Sequence, residues 1–197
     1  MRRRKRWSSV WGGILMLFGM GAGVRASALE PYVGVDVGMA APTEKLRRTA
    51  DVGGVIAPHG GVRLFTLADS FTLGLELTPQ FTAMPLDSGV STKGRNVQSV
   101  FSLTAGPRFA LYDEYFEVSL SSGGGYYTHT FGVIDDDGGG WYLAGAIQYR
   151  LGQGNLVGLF ARRDEAHMRP VKGPSTDLTT YFTGGLIFQH VFLPDGR

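Results

Sequence analysis

The chain has 197 residues, with 30 glycines, 12% aromatic and only 18% charged residues, and no cysteine. That length suits one domain, and the composition is not that of a disordered chain. Without cysteine there are no disulfides, thiol nucleophiles, Cys-based zinc sites or lipidated N-terminal cysteine. The formal charge of +2 invites a nucleic-acid partner, but its distribution along the chain removes that reading.

Residues 1–28 read as a secretory signal peptide. Arg2-Arg3-Arg4-Lys5-Arg6 is followed by an apolar run from about Val10 to Val24 and the small-x-small site Ala26-Ser27-Ala28. The run is short and interrupted by glycine, too weak for a transmembrane helix. Six of the 19 basic residues and none of the acidic ones lie in this segment. The chain from Leu29 onward therefore holds 13 basic against 17 acidic residues, net −4. A net-negative chain is a poor nucleic-acid binder. The Gly19-x-Gly21-x-Gly23 run sits in the same leader with no strand before it, so it is no dinucleotide loop.

From Leu29 onward no segment keeps helical periodicity for three turns, whereas period-two alternation recurs. In chain order, Val33, Val35, Val37 and Met39 alternate with Tyr32, Gly34, Asp36 and Gly38. Ile56, Val62 and Leu64 stand against Ala57, His59, Gly61 and Arg63. The third segment is the most regular: Phe71, Leu73, Leu75, Leu77, Pro79 and Phe81 against Thr72, Gly74, Glu76, Thr78, Gln80 and Thr82. Next come Phe101, Leu103, Ala105, Phe109 and Leu111 against Ser102, Thr104, Gly106 and Arg108. Phe116, Val118 and Leu120 alternate with Glu117, Ser119, Ser121 and Gly123. Trp141, Leu143, Ile147, Tyr149 and Leu151 alternate with Tyr142, Ala144, Ala146, Gln148 and Arg150. The seventh segment, 156–163, sets Val157 and Leu159 against Gly158 and Arg162. The eighth sets Phe182, Leu186, Phe188 and Phe192 against Thr183, Gly185 and Gln189.

Eight strands joined alternately by short turns and by stretches of about 9 to 16 residues predict an up-and-down transmembrane barrel, all-β and antiparallel, over residues 29–197. The short turns, Leu67 to Ser70, Tyr112 to Glu114 and Gly152 to Asn155, then face the periplasm with both chain ends. A soluble ligand-binding barrel is the alternative. It would need a charged exterior, yet Lys45, Lys93 and Lys172 all fall in long loops. The apolar face is therefore assigned to lipid. Phe65, Phe71, Tyr112, Tyr115, Phe116 and Tyr149 mark one interfacial girdle, and Phe81, Tyr126 and Trp141 the other.

The polar face then points inward. It carries Asp36, Glu76 and Glu117 with Arg63, Arg108 and Arg150, joined by Arg162 if its strand holds register. Buried charges of both signs require pairing, so these residues predict a structural ion network filling a narrow lumen. A narrow, gated channel through the same residues is the alternative reading.

These segments resemble the small outer-membrane β-barrel family that includes the OmpA transmembrane domain and OmpX. The resemblance lies in Pro31-Tyr32-Val33-Gly34-Val35-Asp36-Val37-Gly38, in Gly106-Pro107-Arg108-Phe109, and in a last strand ending Phe188-Gln189-His190-Val191-Phe192. It implies a bacterial outer-membrane protein whose final aromatic residue, here Phe192, is read by the barrel assembly machinery. It selects no activity, because such barrels serve adhesion, resistance and structural roles.

Small barrels also include lipid A-modifying enzymes, which need a serine activated by a histidine and an acid. His129 lies near the outer end of the fifth strand with Ser119, Ser121 and Glu117 nearby in sequence. The His-x-Ser spacing is missing, however, and Glu117 lies about 12 residues of strand away. His167 reads as a loop residue and His190 as an interfacial one. Asp135-Asp136-Asp137-Gly138-Gly139-Gly140 lacks the ligand pattern of a calcium loop and reads as a solvated hairpin tip.

No catalytic, metal or cofactor site is therefore assigned. The candidate surface contacts are basic loop residues, Lys45, Arg47, Arg48, Lys93, Arg95, Arg169 and Lys172, with Arg163 beside them, placed to meet lipopolysaccharide phosphates. The sequence thus predicts a monomeric, non-enzymatic envelope protein in contact with outer-membrane lipid. A channel and a lipid A-modifying enzyme are the alternatives.

Overall fold

The computed structural model describes residues 29–43, 50–67, 70–86, 97–131, 134–170 and 177–193. The signal-peptide reading of residues 1–28 lies outside them. Eight strands follow in order: β1 (Glu30–Pro42), β2 (Gly53–Leu67), β3 (Phe71–Pro85), β4 (Val97–Tyr112), β5 (Phe116–Phe131), β6 (Ile134–Gly152), β7 (Asn155–Pro170) and β8 (Asp177–Val191). Each pairs antiparallel with its neighbour in sequence, and β1 pairs with β8 to close the barrel. Closure leaves no open sheet edge, the condition for a sheet that crosses lipid.

The alternation of side chains decides which surface is wet. Leu75, Leu77, Phe101, Leu120, Ile147, Leu159 and Leu186 point outward and are exposed, whereas Thr72, Thr78, Gln80, Gln98, Ser102, Thr104 and Gln148 point inward and are buried. This inverts the arrangement of a soluble barrel. Water does not stabilise an exterior of contiguous leucine, valine and phenylalanine, so this belt faces hydrocarbon. Phe65, Tyr115, Phe116 and Tyr149 ring one end of the belt, and Phe81, Tyr126 and Trp141 the other. Tyr112 departs from the expected girdle. It turns inward, where its ring lies under the Arg150 and Arg63 guanidinium groups, 4.8 and 5.8 Å from its centroid.

Glycine has a packing role where adjacent strands nearly touch. A Cβ on Gly106 of β4 would lie 2.7 Å from Gly123 Cα on β5, and a Cβ on Gly123 would lie 2.8 Å from Gly106 Cα. At the β6–β7 turn, Gln153 and Gly154 both take positive φ, 51° and 81°. That is the backbone of a two-residue turn whose twist matches the flanking strands.

The strands at the other end run longer than periodicity alone predicts. Only residues 132–133 separate β5 from β6, where a long loop is expected from the sequence. The Asp135–Gly140 run is not a hairpin tip. It lies within β6, paired with Thr130 to Gly125 on one side and, from Asp136, with Pro170 to Ala166 on the other. Its aspartates and glycines read locally as turn formers, but ladder bonds along both edges override that preference. Likewise Arg163, His167 and Arg169 belong to β7 and not to a loop. From Trp141 to the start of β6 the wall continues for seven residues. At a rise of about 3.3 Å per residue and a tilt near 45°, it stands about 16 Å beyond the aromatic girdle.

Candidate functional site

The inward residues form three layers along the barrel axis. Nearest the short turns, Arg63 on β2 bonds Glu117 on β5 and lies 3.5 Å from Glu30 on β1. Glu117 is fully buried and also lies 3.9 Å from Arg150 of β6. At the level of mid-barrel, Arg108 on β4 is the hub. Its Nη1 donates to Glu76 Oε2 at 2.8 Å, and its Nη2 donates to Glu117 Oε1 at 3.3 Å, Ser119 Oγ at 3.1 Å and Gln148 Oε1 at 3.1 Å. Tyr32 donates its hydroxyl to Glu76 at 3.2 Å, and its ring lies 4.9 Å from the Arg108 guanidinium. Five different strands thus meet through one guanidinium. Charge-assisted bonds of this kind are roughly twice as strong as bonds between neutral groups.

The third layer lies towards the long-loop end. Arg162 of β7 donates through Nη2 to Asp164 Oδ1 at 2.7 Å and through Nε to Oδ2 at 2.9 Å. It also donates to Thr104 Oγ1 at 3.0 Å and stands 4.2 Å from the Tyr142 ring centroid. Tyr127 donates its hydroxyl to Asp164 at 2.8 Å. Beyond this ion pair an apolar cluster fills the mouth, with Met84, Val100, Tyr127, Met168 and Tyr181 all at 1% exposure or less. Between the layers, Asp36, His59, Glu76 and Arg108 line a cavity of about 30 Å³, room for no more than a water or two.

All six residues assigned to the lumen from alternation point inward, but they are not equivalent. Arg63, Glu76, Arg108, Glu117 and Arg150 join one linked set. Asp36 does not; its near neighbour is His59, with Nδ1 3.4 Å from Oδ1. Arg162 does face inward.

Periodicity also leaves out three groups that the structure adds: Glu30, His59 as a partner of Asp36, and Asp164. Glu30 and Asp164 each continue a period-two series by one step, from Tyr32 and from Arg162. The His59–Asp36 contact depends on the β1–β2 register, in which Gly34 lies opposite His59. Of the candidate phosphate contacts, Lys45, Arg47, Arg48, Lys93, Arg95 and Lys172 lie outside the described residues, as does the side chain of Arg169 on β7. Arg163 is committed to Glu165 at 3.0 Å, flanked by the Trp141 and Phe182 rings at 5.6 and 5.8 Å.

Among the described residues no three His, Asp or Glu groups gather as metal ligands. His129 pairs across the ladder with Asp136, far along β5 from Glu117. On the outer surface at the short-turn end, His190 Nδ1 lies 2.9 Å from Asn155 Oδ1 and its ring packs edge-on to Phe192 at 4.8 Å.

No protein-family model and no curated protein matches the sequence. Solved structures do match the fold. Neisserial surface protein A superposes with a TM-score of 0.52 at 10% identity, over 85% of this chain and 98% of its own. The outer-membrane protein OprG from Pseudomonas aeruginosa gives 0.50 at 11% identity, over 82% and 96%. The fold is therefore that of the small eight-stranded outer-membrane β-barrels.

Proposed function

We propose that the protein is a closed, non-enzymatic barrel of a bacterial outer membrane, acting through its lipid-facing wall and its external rim and not through its lumen. The observation that carries this reading is the double occlusion of the interior. The Arg108 network blocks the middle, and the Met84–Tyr181 layer blocks the long-loop mouth. Desolvating an ion in such an interior costs far more than these paired groups return, so the residues serve as mortar between strands. In this reading short turns face the periplasm, and the tall β5–β7 wall faces outward with the loops that carry Lys45, Arg47, Arg48, Lys93, Arg95 and Lys172.

The envelope role, phosphate contacts by those loops, and reading of Phe192 during assembly belong to this proposal. The chemistry that supports surface action is the set of basic residues in the long-loop sequences, next to the exposed aromatic residues Phe81, Tyr126 and Trp141 at that end of the barrel. Lipid A from cells with and without the protein tests the non-enzymatic part. Identical mass spectra are expected, and a lost or added acyl chain would overturn it.

A further inference from the structure

One lumen arginine is held differently from the others. Arg63, Arg108 and Arg162 each hydrogen-bond a carboxylate. Arg150 of β6 does not: the carboxylate beside it, Glu117, is 3.9 Å away and already takes bonds from Arg63 and Arg108. The Arg150 guanidinium lies 4.8 Å from the Tyr112 ring centroid, and its Nε is buried without a hydrogen-bond partner among the described residues. A guanidinium carries five N–H donors, and one held by a ring and a distant carboxylate leaves donors unused.

Arg150 lines a cavity of about 360 Å³ at the short-turn end of the barrel. Glu114, on the β4–β5 turn, stands exposed on the same cavity, and no ion pair among the described residues uses it. Arg63 lines the cavity too, but it is committed to Glu117 and Glu30. The cavity therefore presents one under-used cation and one solvated anion. A simple anion gains little there, because Glu114 opposes it, and a simple cation is opposed by Arg150. A group carrying both charges finds a partner for each.

The walls of the cavity say where that group comes from. Tyr115, Tyr149, Leu151 and Leu193 form its exposed side, and Leu156 and Val191 its buried side. Tyrosines in such a girdle sit at the level of lipid headgroups, with hydrocarbon beginning just below them. We propose that this cavity is a site for one phospholipid whose headgroup carries a phosphate and a primary ammonium, as in phosphatidylethanolamine. The phosphate accepts hydrogen bonds from Arg150, the ammonium donates to Glu114, and the acyl chains follow the apolar wall below Tyr115 and Tyr149. The site lies at the opposite end from the basic loops and does not depend on what they bind.

The test is native mass spectrometry of the folded protein in detergent, with phosphatidylethanolamine or phosphatidylglycerol of the same acyl chains added. The unaltered protein is expected to retain one phosphatidylethanolamine more strongly than phosphatidylglycerol, which has the phosphate but no ammonium. Arg150→Gln should weaken that retention roughly tenfold, the loss of one charge-assisted contact. Glu114→Gln should bring the two lipids to equal retention. Free phosphoethanolamine at the lipid's concentration should leave the bound lipid in place. Equal or stronger retention of phosphatidylglycerol by the unaltered protein overturns the proposal. So does phosphatidylethanolamine retention unchanged in either variant, or displacement of the lipid by free phosphoethanolamine. Glu114 is exposed on a turn, so its variant decides the matter should Arg150→Gln not fold.

Discussion

Arg108 and Glu76 are diagonal neighbours across the β3–β4 ladder, with Nη1 2.8 Å from Oε2 and both side chains turned into the lumen. Because Arg108 also holds Glu117, Ser119 and Gln148, its loss strands the buried carboxylate of Glu76 and removes one of the three arginines around Glu117. Arg108→Met is expected to destabilise the folded barrel by about 3–5 kcal/mol. The double variant Arg108→Met/Glu76→Gln should recover part of that loss, leaving a coupling of about 1–3 kcal/mol. Reversible urea unfolding in detergent or bilayers checks the cycle, and additive single effects would contradict the pairing.

In the proposed closed barrel, the apolar layer at the long-loop mouth is a second, separate barrier. Met84→Ala and Met168→Ala each remove a fully buried side chain and should each cost about 2–5 kcal/mol. The pair of substitutions should still give no ion conductance, because Arg108 and its partners fill the barrel beneath. Current through the Met84→Ala/Met168→Ala barrel would show that the ion network alone does not seal the lumen.

How much of this was legible in the sequence depends on what each feature rests on. The strand faces were legible, because a lipid-facing wall and a packed lumen impose opposite polarity on alternate residues, as in Phe71 to Thr82. The inward positions of Asp36, Arg63, Glu76, Arg108, Glu117 and Arg150 follow from the same parity. Their partners do not, since contacts such as His59–Asp36 and Arg63–Glu117 depend on inter-strand register and stagger. Strand length is not legible at Asp135–Gly140, where local turn chemistry is outweighed by pairing on both edges. Asp164 is illegible for another reason: the β7 alternation continues past the point where hydrophobicity fades.

At the short-turn end, Asp113 accepts bonds from the backbone N–H groups of Tyr115 and Phe116, both at 2.7 Å. The Phe116 bond first, then the Tyr115 bond, favours the carboxylate and holds its pKa below the ordinary aspartate range. For a group lowered in the folded state, the stabilisation is present above the unfolded value and disappears as pH falls through the folded one. The β4–β5 turn should therefore loosen only in acid. Amide NMR signals of Tyr115 and Phe116 are expected to move together below the usual aspartate titration, and Asp113→Asn should flatten both curves. A midpoint at or above the ordinary value would contradict the cap.

Gln153 occupies a left-handed conformation, φ 51°, that asparagine adopts more readily. Gln153→Asn should stabilise the β6–β7 turn by about 0.5 kcal/mol. The change should appear in the unfolding midpoint without a change in its denaturant dependence. A lower midpoint would mean that the glutamine side chain makes a contact worth more than the backbone relief.

Closure of the lumen is tested most directly by electrical recording of the purified, folded barrel in a planar lipid bilayer. The structure predicts a silent membrane, with no unitary steps at any applied voltage the bilayer tolerates. Reproducible steps that vanish or change size on substituting Arg108 or Glu76 would place the conducting path through these residues and contradict the closed barrel.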